Sequence, residues 1–279
     1  MTHLFSVDVE EHFQVSVFDQ VLSRAEWEAQ PSRVEANTDR LLELLEAHGA
    51  TATFFTLGWV AERRPELIRR IAGQGHELGS HTWWHRKVSR GTPTEFREEV
   101  RRTKAILEGL AGHAVRGFRA PSFSIVPGTE WAFDVLLEEG YPYDSSLFPI
   151  RRPDYGYPAA PTIPHRLVRP GGRLLELPMA TVDVFGMRLP AAGGGYLRLL
   201  PLGLTRHAFH ELERAGQPGM FYTHPWEVDP EQPRLPVDWL ARMRHYGGLH
   251  RTMHRLKAIL TEFRFTSVAA WLATHSEWA

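Results

Sequence analysis

The chain has 279 residues, 43% hydrophobic and 23% charged, with a formal net charge of −1. That balance is ordinary for a soluble globular fold, and near-neutrality excludes recruitment to nucleic acid or membrane by bulk charge. The absence of cysteine excludes disulfides, thiolate metal sites and sulfur redox chemistry. No apolar run is long enough to span a bilayer. No basic-then-apolar leader opens the chain, so cytoplasm is the default expectation and peripheral association with a membrane complex stays open.

Short apolar runs alternate with helical patterns. Leu4–Val7 reads as a strand. Asn37 or Thr38 is expected to cap a helix carrying Leu41, Leu42, Leu44 and Leu45, ended by Gly49. Ala52–Leu57 is a strand, Pro65–Gln74 a helix, and Glu77–Gly79 a short strand. Thr92-Pro93-Thr94-Glu95 opens a helix to about Gly109, with proline in its first turn. Val115–Arg119 is a strand and Thr129–Glu139 a helix. The proline-rich segment Phe148–Pro170 reads as one long ordered loop, and Gly193-Gly194-Gly195 as an irregular stretch. Further strands are expected at Tyr143, Leu174–Leu177 and Met220–Thr223, and a helix near Thr205–Ala215. Phe265–Ser267 and a last helix, Val268–His275, close the chain. Such repetition implies α/β architecture with a parallel sheet, and seven or eight units in this length suggest a barrel.

Five short motifs fall at expected strand ends: Asp8 with Glu10, His81-Thr-Trp-Trp-His85, Arg119-Ala-Pro121, Asp144-Ser-Ser146, and His224-Pro-Trp226. In a parallel barrel all strand carboxyl ends share one face, where active sites form. His81 and His85, read as one helical turn, would present two imidazoles on one side. A strand-end carboxylate completes a two-histidine, one-carboxylate plan for a catalytic metal. Another HxxxH pair, His250 and His254, is flanked by Arg251, Arg255 and Lys257 and reads as a solvated helix face.

The ordered set resembles the motifs of the polysaccharide deacetylases, the NodB-homology or carbohydrate esterase family four group. The opening around Asp8, the His-Pro-Trp-Glu segment and the tail look most like an exopolysaccharide-locus, exosortase-associated branch. The resemblance implies a distorted (β/α)7 TIM-like barrel in a single domain covering residues 1–279, with residues after about 226 as an extension packed on it. It also implies one divalent metal, zinc being the expected ion, and hydrolysis of N-acetyl groups on amino sugars of a polysaccharide or its lipid-linked precursor. An N-acetylated glycan is then the partner, with no nucleic acid, and an exopolysaccharide assembly complex is a conceivable peripheral host.

Roles follow from that chemistry. Asp8 is the expected general base and Arg119 its orienting partner. His224 is the expected general acid, oriented by Asp144. The backbone N–H of Ser122 is a candidate oxyanion donor, and Tyr222 and Trp226 are candidate substrate-side residues. Most members of the family carry adjacent aspartates, base then ligand. Here Val9 follows Asp8, so the metal carboxylate moves to Glu10, because strand alternation returns i+2 to the same face and disfavours Glu11. Ser122 and Tyr222 also replace usual residues and put the substrate pocket in question. Two other readings remain: a cyclic amide or imide amidohydrolase of the same fold, and a degenerate carbohydrate-binding scaffold. Retained base, ligands and acid argue against the scaffold.

Overall fold

A computed structural model describes residues 1–278. Strands β1 (Thr2–Val9), β2 (Thr53–Thr56), β3 (Glu77–Ser80), β4 (Gly117–Phe118) and β5 (Tyr143–Asp144) pair in parallel in chain order. β6 (His165–Arg169) runs antiparallel to β7 (Gly172–Glu176), and β7 continues the parallel series from β5. The Phe148–Pro170 segment is therefore not all loop: its end forms β6. A small antiparallel hairpin, β8 (Thr181–Val184) with β9 (Met187–Pro190), follows. β10 (Met220–Thr223) then returns beside β1, and β11 (Arg264–Thr266) pairs with the start of β1.

Seven parallel strands thus circle the core, β1 to β5, β7 and β10. The gap between β7 and β10 closes only by single bridges, Met179 to Met220 and Gly193 to Tyr222. This is the expected seven-stranded barrel, and the sparse closure is its distortion. Gly193 is glycine for a reason: its φ is +117°, and a Cβ there would lie 2.0 Å from the Tyr222 carbonyl oxygen.

The helices form an outer layer. They are α1 (Val34–Ala47), α2 (Gly58–Arg63), α3 (Pro65–Gly73), α4 (Pro93–Ala111), α5 (Trp131–Glu138), α6 (Gly194–Leu199), α7 (Leu202–Arg214), α8 (Trp239–Tyr246), α9 (Thr252–Glu262) and α10 (Val268–Thr274). α4 begins on a capping box between Thr92 and Glu95, as its sequence demands. α1 begins earlier than its polar residues suggest. Asn37 and Thr38 lie buried within it, and no side chain caps its start. Asn37 instead donates to Asp229, 3.3 Å away, tying the helix to the loop after β10. α3 shows how the layer holds: Leu67, Ile68 and Ile71 are fully buried, each worth about 1.5–3 kcal/mol of apolar burial.

Candidate active site

β1 delivers three polar side chains to the barrel interior by alternation. Ser6, Asp8 and Glu10 sit at i, i+2 and i+4 and are all buried. Arg119, directly after β4, reaches into the same space and is fully buried. Its Nη1 donates to Asp8 Oδ1 at 2.7 Å and to Ser6 Oγ at 2.6 Å. Its Nε and Nη2 donate to the carbonyl and hydroxyl of Ser145, each at 2.9 Å. The guanidinium is thus fixed on three sides, and it fixes Asp8. The second Asp8 oxygen stays turned toward His224, whose Nε2 is 3.8 Å away.

Glu10, His81 and His85 each place a ligand-type atom within 4.8 Å of the others. His81 Nδ1 donates to the Arg119 carbonyl at 2.7 Å, leaving Nε2 for the site. Burial lowers the His81 pKa to about 4, so the ring is neutral near pH 7, the form in which an imidazole can ligate. Burial works to raise Glu10, but His85, His224 and His81 outweigh it and hold the carboxylate below its ordinary range. Glu10 Oε2 lies 2.8 Å from His85 Nε2 and has no hydrogen-bond donor of its own, while Trp226 Nε1 donates to Oε1 at 3.0 Å. One buried carboxylate and two imidazoles suit a divalent ion of the zinc type. Glu11 faces elsewhere: it binds the Ser32 hydroxyl and the Arg33 backbone N–H.

The two histidines do not share a helical turn. His81 to His85 is an irregular loop in which Thr82 (φ +63°) and His85 (φ +53°) are left-handed. Their rings still approach, with centroids 5.4 Å apart. Packing imposes the shape. The backbone N–H groups of Trp83 and Trp84 both donate to Glu99 of α4 at 3.2 Å, and Trp83 is buried against α2. His250 and His254 are exposed on α9 and its approach, as expected.

The partner assigned to His224 needs correction. Asp144 does not orient it. Asp144 binds the Ser146 hydroxyl at 2.6 Å and the Ser146 N–H at 3.0 Å, and it pairs with buried Glu176, whose pKa burial and the adjoining Asp144 push well up. The imidazole of His224 is held by Glu227, with Nδ1 and Oε1 2.6 Å apart. Burial opposes the charged ring, but the Glu227 hydrogen bond and the charges of Glu10, Glu227 and Asp8 prevail and raise its pKa to about 9. Glu227 in turn accepts from Arg198 Nε at 2.6 Å. Arg198 donates onward to carbonyls of Arg244 and His245 at 3.1 and 3.0 Å, so the segment after β10 is wired to the imidazole. The reading of the sequence missed Glu227 and Arg198. Glu227, three residues after His224, forms a capping box with it, and that spacing was the available signal.

Trp226 is not a sugar platform. His224 stacks on it at 5.0 Å and His245 at 4.2 Å, both near-parallel, so its ring faces are occupied. Tyr222 packs edge-on to Phe123 and His224 in the wall. Ser122 (φ +54°) borders the cavity. Its hydroxyl meets that of Ser16 at 2.9 Å, and its N–H has no partner among the described residues. Asp8, Glu10, His81, His85, Ser122, Tyr222 and His224 border one open cavity of about 320 Å³, which Tyr155 and Gly195 also line. Both irregular segments of the sequence therefore do supply wall residues.

With this geometry in view, the comparisons are direct. The polysaccharide deacetylase family model matches residues 15–132, so that stretch is similar to this family. A domain of unknown function, DUF3473, matches residues 145–273. In the structure that second stretch supplies β6, β7, β10 and β11 to the same sheet that holds β2, β3 and β4 of the first. The chain is 38% identical over 96 residues to a peptidoglycan-N-acetylglucosamine deacetylase of Bacillus cereus, covering 34% of this chain and 35% of that one. It is 37% identical over 100 residues to a chitooligosaccharide deacetylase of a Bradyrhizobium species, covering 36% and 43%. The aligned stretches thus span under half the length of these relatives. A Mycobacterium smegmatis protein assigned as a polysaccharide deacetylase has a similar fold, with a TM-score of 0.66, 21% identity, and 98% of this chain and 89% of that one covered. A Puue allantoinase is similar at 0.61, with 20% identity and coverage of 98% and 91%.

Proposed function

We propose that this chain is a metal-dependent N-deacetylase acting on amino sugars of a polysaccharide or its lipid-linked precursor, in an exopolysaccharide-associated branch of the family. The observation that carries the reading is the meeting of Asp8, Glu10, His81, His85 and His224 in one cavity from three separate strand ends, with Arg119 of a fourth bonded to Asp8. Relatives named as deacetylases of peptidoglycan and chitooligosaccharides support it.

An amide carbonyl is a poor electrophile and an amine a poor leaving group. A divalent ion held by Glu10, His81 and His85, zinc by donor type, would supply polarisation of the acetyl carbonyl and of the attacking water. Asp8, steered by Arg119, accepts the proton of that water. Ser122 offers its unpaired N–H to the oxygen that gains charge. His224, charged through its bond to Glu227, donates a proton to the departing nitrogen as the C–N bond breaks. Acetate and a free amino sugar result, and the protons balance. Asp144 has no part in this scheme. It props the Ser145-Ser146 turn that seats Arg119.

Likeness to an allantoinase keeps ring-opening of cyclic amides as a second reading. The cavity favours the glycan, because it is open and a neighbouring surface cleft shares Lys87, Asp154 and Tyr155 with it. The metal-loaded protein should be incubated separately with N-acetylglucosamine oligosaccharides and with allantoin, and acetate, new amine and ring-opened product measured. Equal acetate and amine from the oligosaccharide support the proposal; ring-opened product alone would replace it with the second reading. No helix among the described residues is long and apolar enough to cross a membrane. A cytoplasmic site of action, with peripheral attachment to an assembly complex, is the setting we assign.

A further inference from the structure

Large hydrophobic side chains are exposed in few places, and those places cluster. Of ten such residues, six fall in the β8–β9 hairpin, the end of α6 and α8: Phe185, Met187, Leu199, Trp239, Leu240 and Met243. Phe185 is 99% exposed at a hairpin tip where φ is +50°, a conformation costly for an aromatic residue. Trp239 is 74% exposed at the first position of α8. Neither contributes to the core, and a soluble chain gains nothing by showing them to water.

The segments are neighbours. Phe185 and Leu189 share a surface cleft with Tyr196 of α6 and with Leu200. Leu199 packs against Gly247 at the end of α8. The hairpin and α8 therefore both flank α6. Residues Arg198 of α6 and Arg244 of α8 also border the catalytic cavity. The apolar surface adjoins the mouth of the site.

Its charge leans positive: Asp183 and Arg188 of the hairpin pair with each other. Arg242 and Arg244 of α8 and nearby Arg234 are exposed, and none makes an ion pair among the described residues. Asp238 is the acid closest to the helix in sequence, and it is spent capping α8, accepting from Leu240 and Ala241 N–H at 2.9 Å. Tryptophan, leucine and methionine beside unpaired arginines on a short exposed helix is the composition of a membrane-interface element. The neutral whole-chain charge does not oppose this, because juxtamembrane attraction falls off within a Debye length.

We propose that the β8–β9 tip and α8 form a docking surface for an anionic lipid bilayer, which brings the mouth of the cavity to the membrane. The occupant is a lipid surface rather than a second copy of the chain, because two copies would oppose unpaired arginines across an isologous contact. This rests on the structure alone; that the docked site takes a lipid-linked glycan rests also on the function proposed above.

The test is co-sedimentation of the whole chain with vesicles of phosphatidylcholine, with and without phosphatidylglycerol. Wild type should sediment with the anionic vesicles and about tenfold more weakly with neutral ones. Phe185→Ser with Trp239→Ser should reduce anionic binding at least tenfold. Acetate release from a soluble oligosaccharide should stay unchanged in that variant, which separates this proposal from the activity. Both positions are exposed, and a thermal melt matching wild type establishes that the variant folds. Absence of wild-type binding to anionic vesicles would overturn the proposal. So would unchanged binding by the variant, or a wild-type dimer that the two substitutions dissociate.

Discussion

His224 Nδ1 and a carboxylate oxygen of Glu227 lie 2.6 Å apart, within one short turn that the same carboxylate helps to cap. The imidazole is therefore fixed in orientation and favoured in its charged form, with Nε2 toward Asp8 and Glu10. Arg198 anchors that carboxylate from behind.

Replacing Glu227 by Gln should slow deacetylation by at least about tenfold, and by no more than the 10²–10⁴ that a general acid is worth. Metal content should not change. His224 must be protonated to donate, so the rate falls as pH rises through its pKa, raised to about 9. Without the glutamate charge that alkaline limb should move to lower pH. A pH–kcat profile checks this, and an unmoved limb would deny Glu227 its role. Asp144→Asn should leave the limb in place.

Asp8 and Arg119 are a buried pair, so their removal should be strongly non-additive. Arg119→Met leaves the Asp8 carboxylate without its partner and should cost about 3–5 kcal/mol in urea unfolding. Combining it with Asp8→Asn should recover part of that loss. Simple additivity would show that the pair does not couple.

Much of this site is legible in the sequence because parallel topology does the assembling. Residues at Asp8, His81, Arg119 and His224 meet once their strands are aligned, with no need to foresee any single contact. What escapes is set by tertiary context. The His81–His85 loop is held left-handed by α2 and α4, so helical spacing was the wrong geometry for two rings that nonetheless converge. Asp144 lies at the right strand end, but Ser146 and Glu176 take its oxygens. Asn37 looks like a cap and serves as a buried tie to Asp229. The β8–β9 hairpin and α8 carry weak periodicity because much of their apolar surface faces outward.

Acid should destabilise the fold through two histidines away from the site. His3 Nδ1 accepts from Gly219 N–H at 3.0 Å, and His76 Nδ1 from Ala52 N–H at 3.2 Å. Burial, the largest influence on each, lowers both pKa values to about 4. Between about 6.5 and 4 the unfolded chain binds protons that the folded chain refuses, so stability falls as pH drops through that window. The loss should be about 2 kcal/mol per histidine by pH 5. His76→Gln keeps an acceptor and cannot titrate, so its urea midpoint should fall less between pH 7 and 5. An identical fall would show that His76 titrates normally in the fold.

The central claim is that Glu10, His81 and His85 hold the ion while Asp8 accepts the proton. The most direct measurement is acetate release per bound metal in wild type, Asp8→Asn and the His81→Ala/His85→Ala double variant, before and after chelation and reloading with zinc. Wild type should bind one ion, lose activity on chelation and regain it on reloading. Asp8→Asn should keep the ion and lose about 10²–10⁴-fold in rate, and the double variant should lose both. Wild-type turnover by metal-replete Asp8→Asn, or stoichiometric zinc in the double variant, would contradict the account.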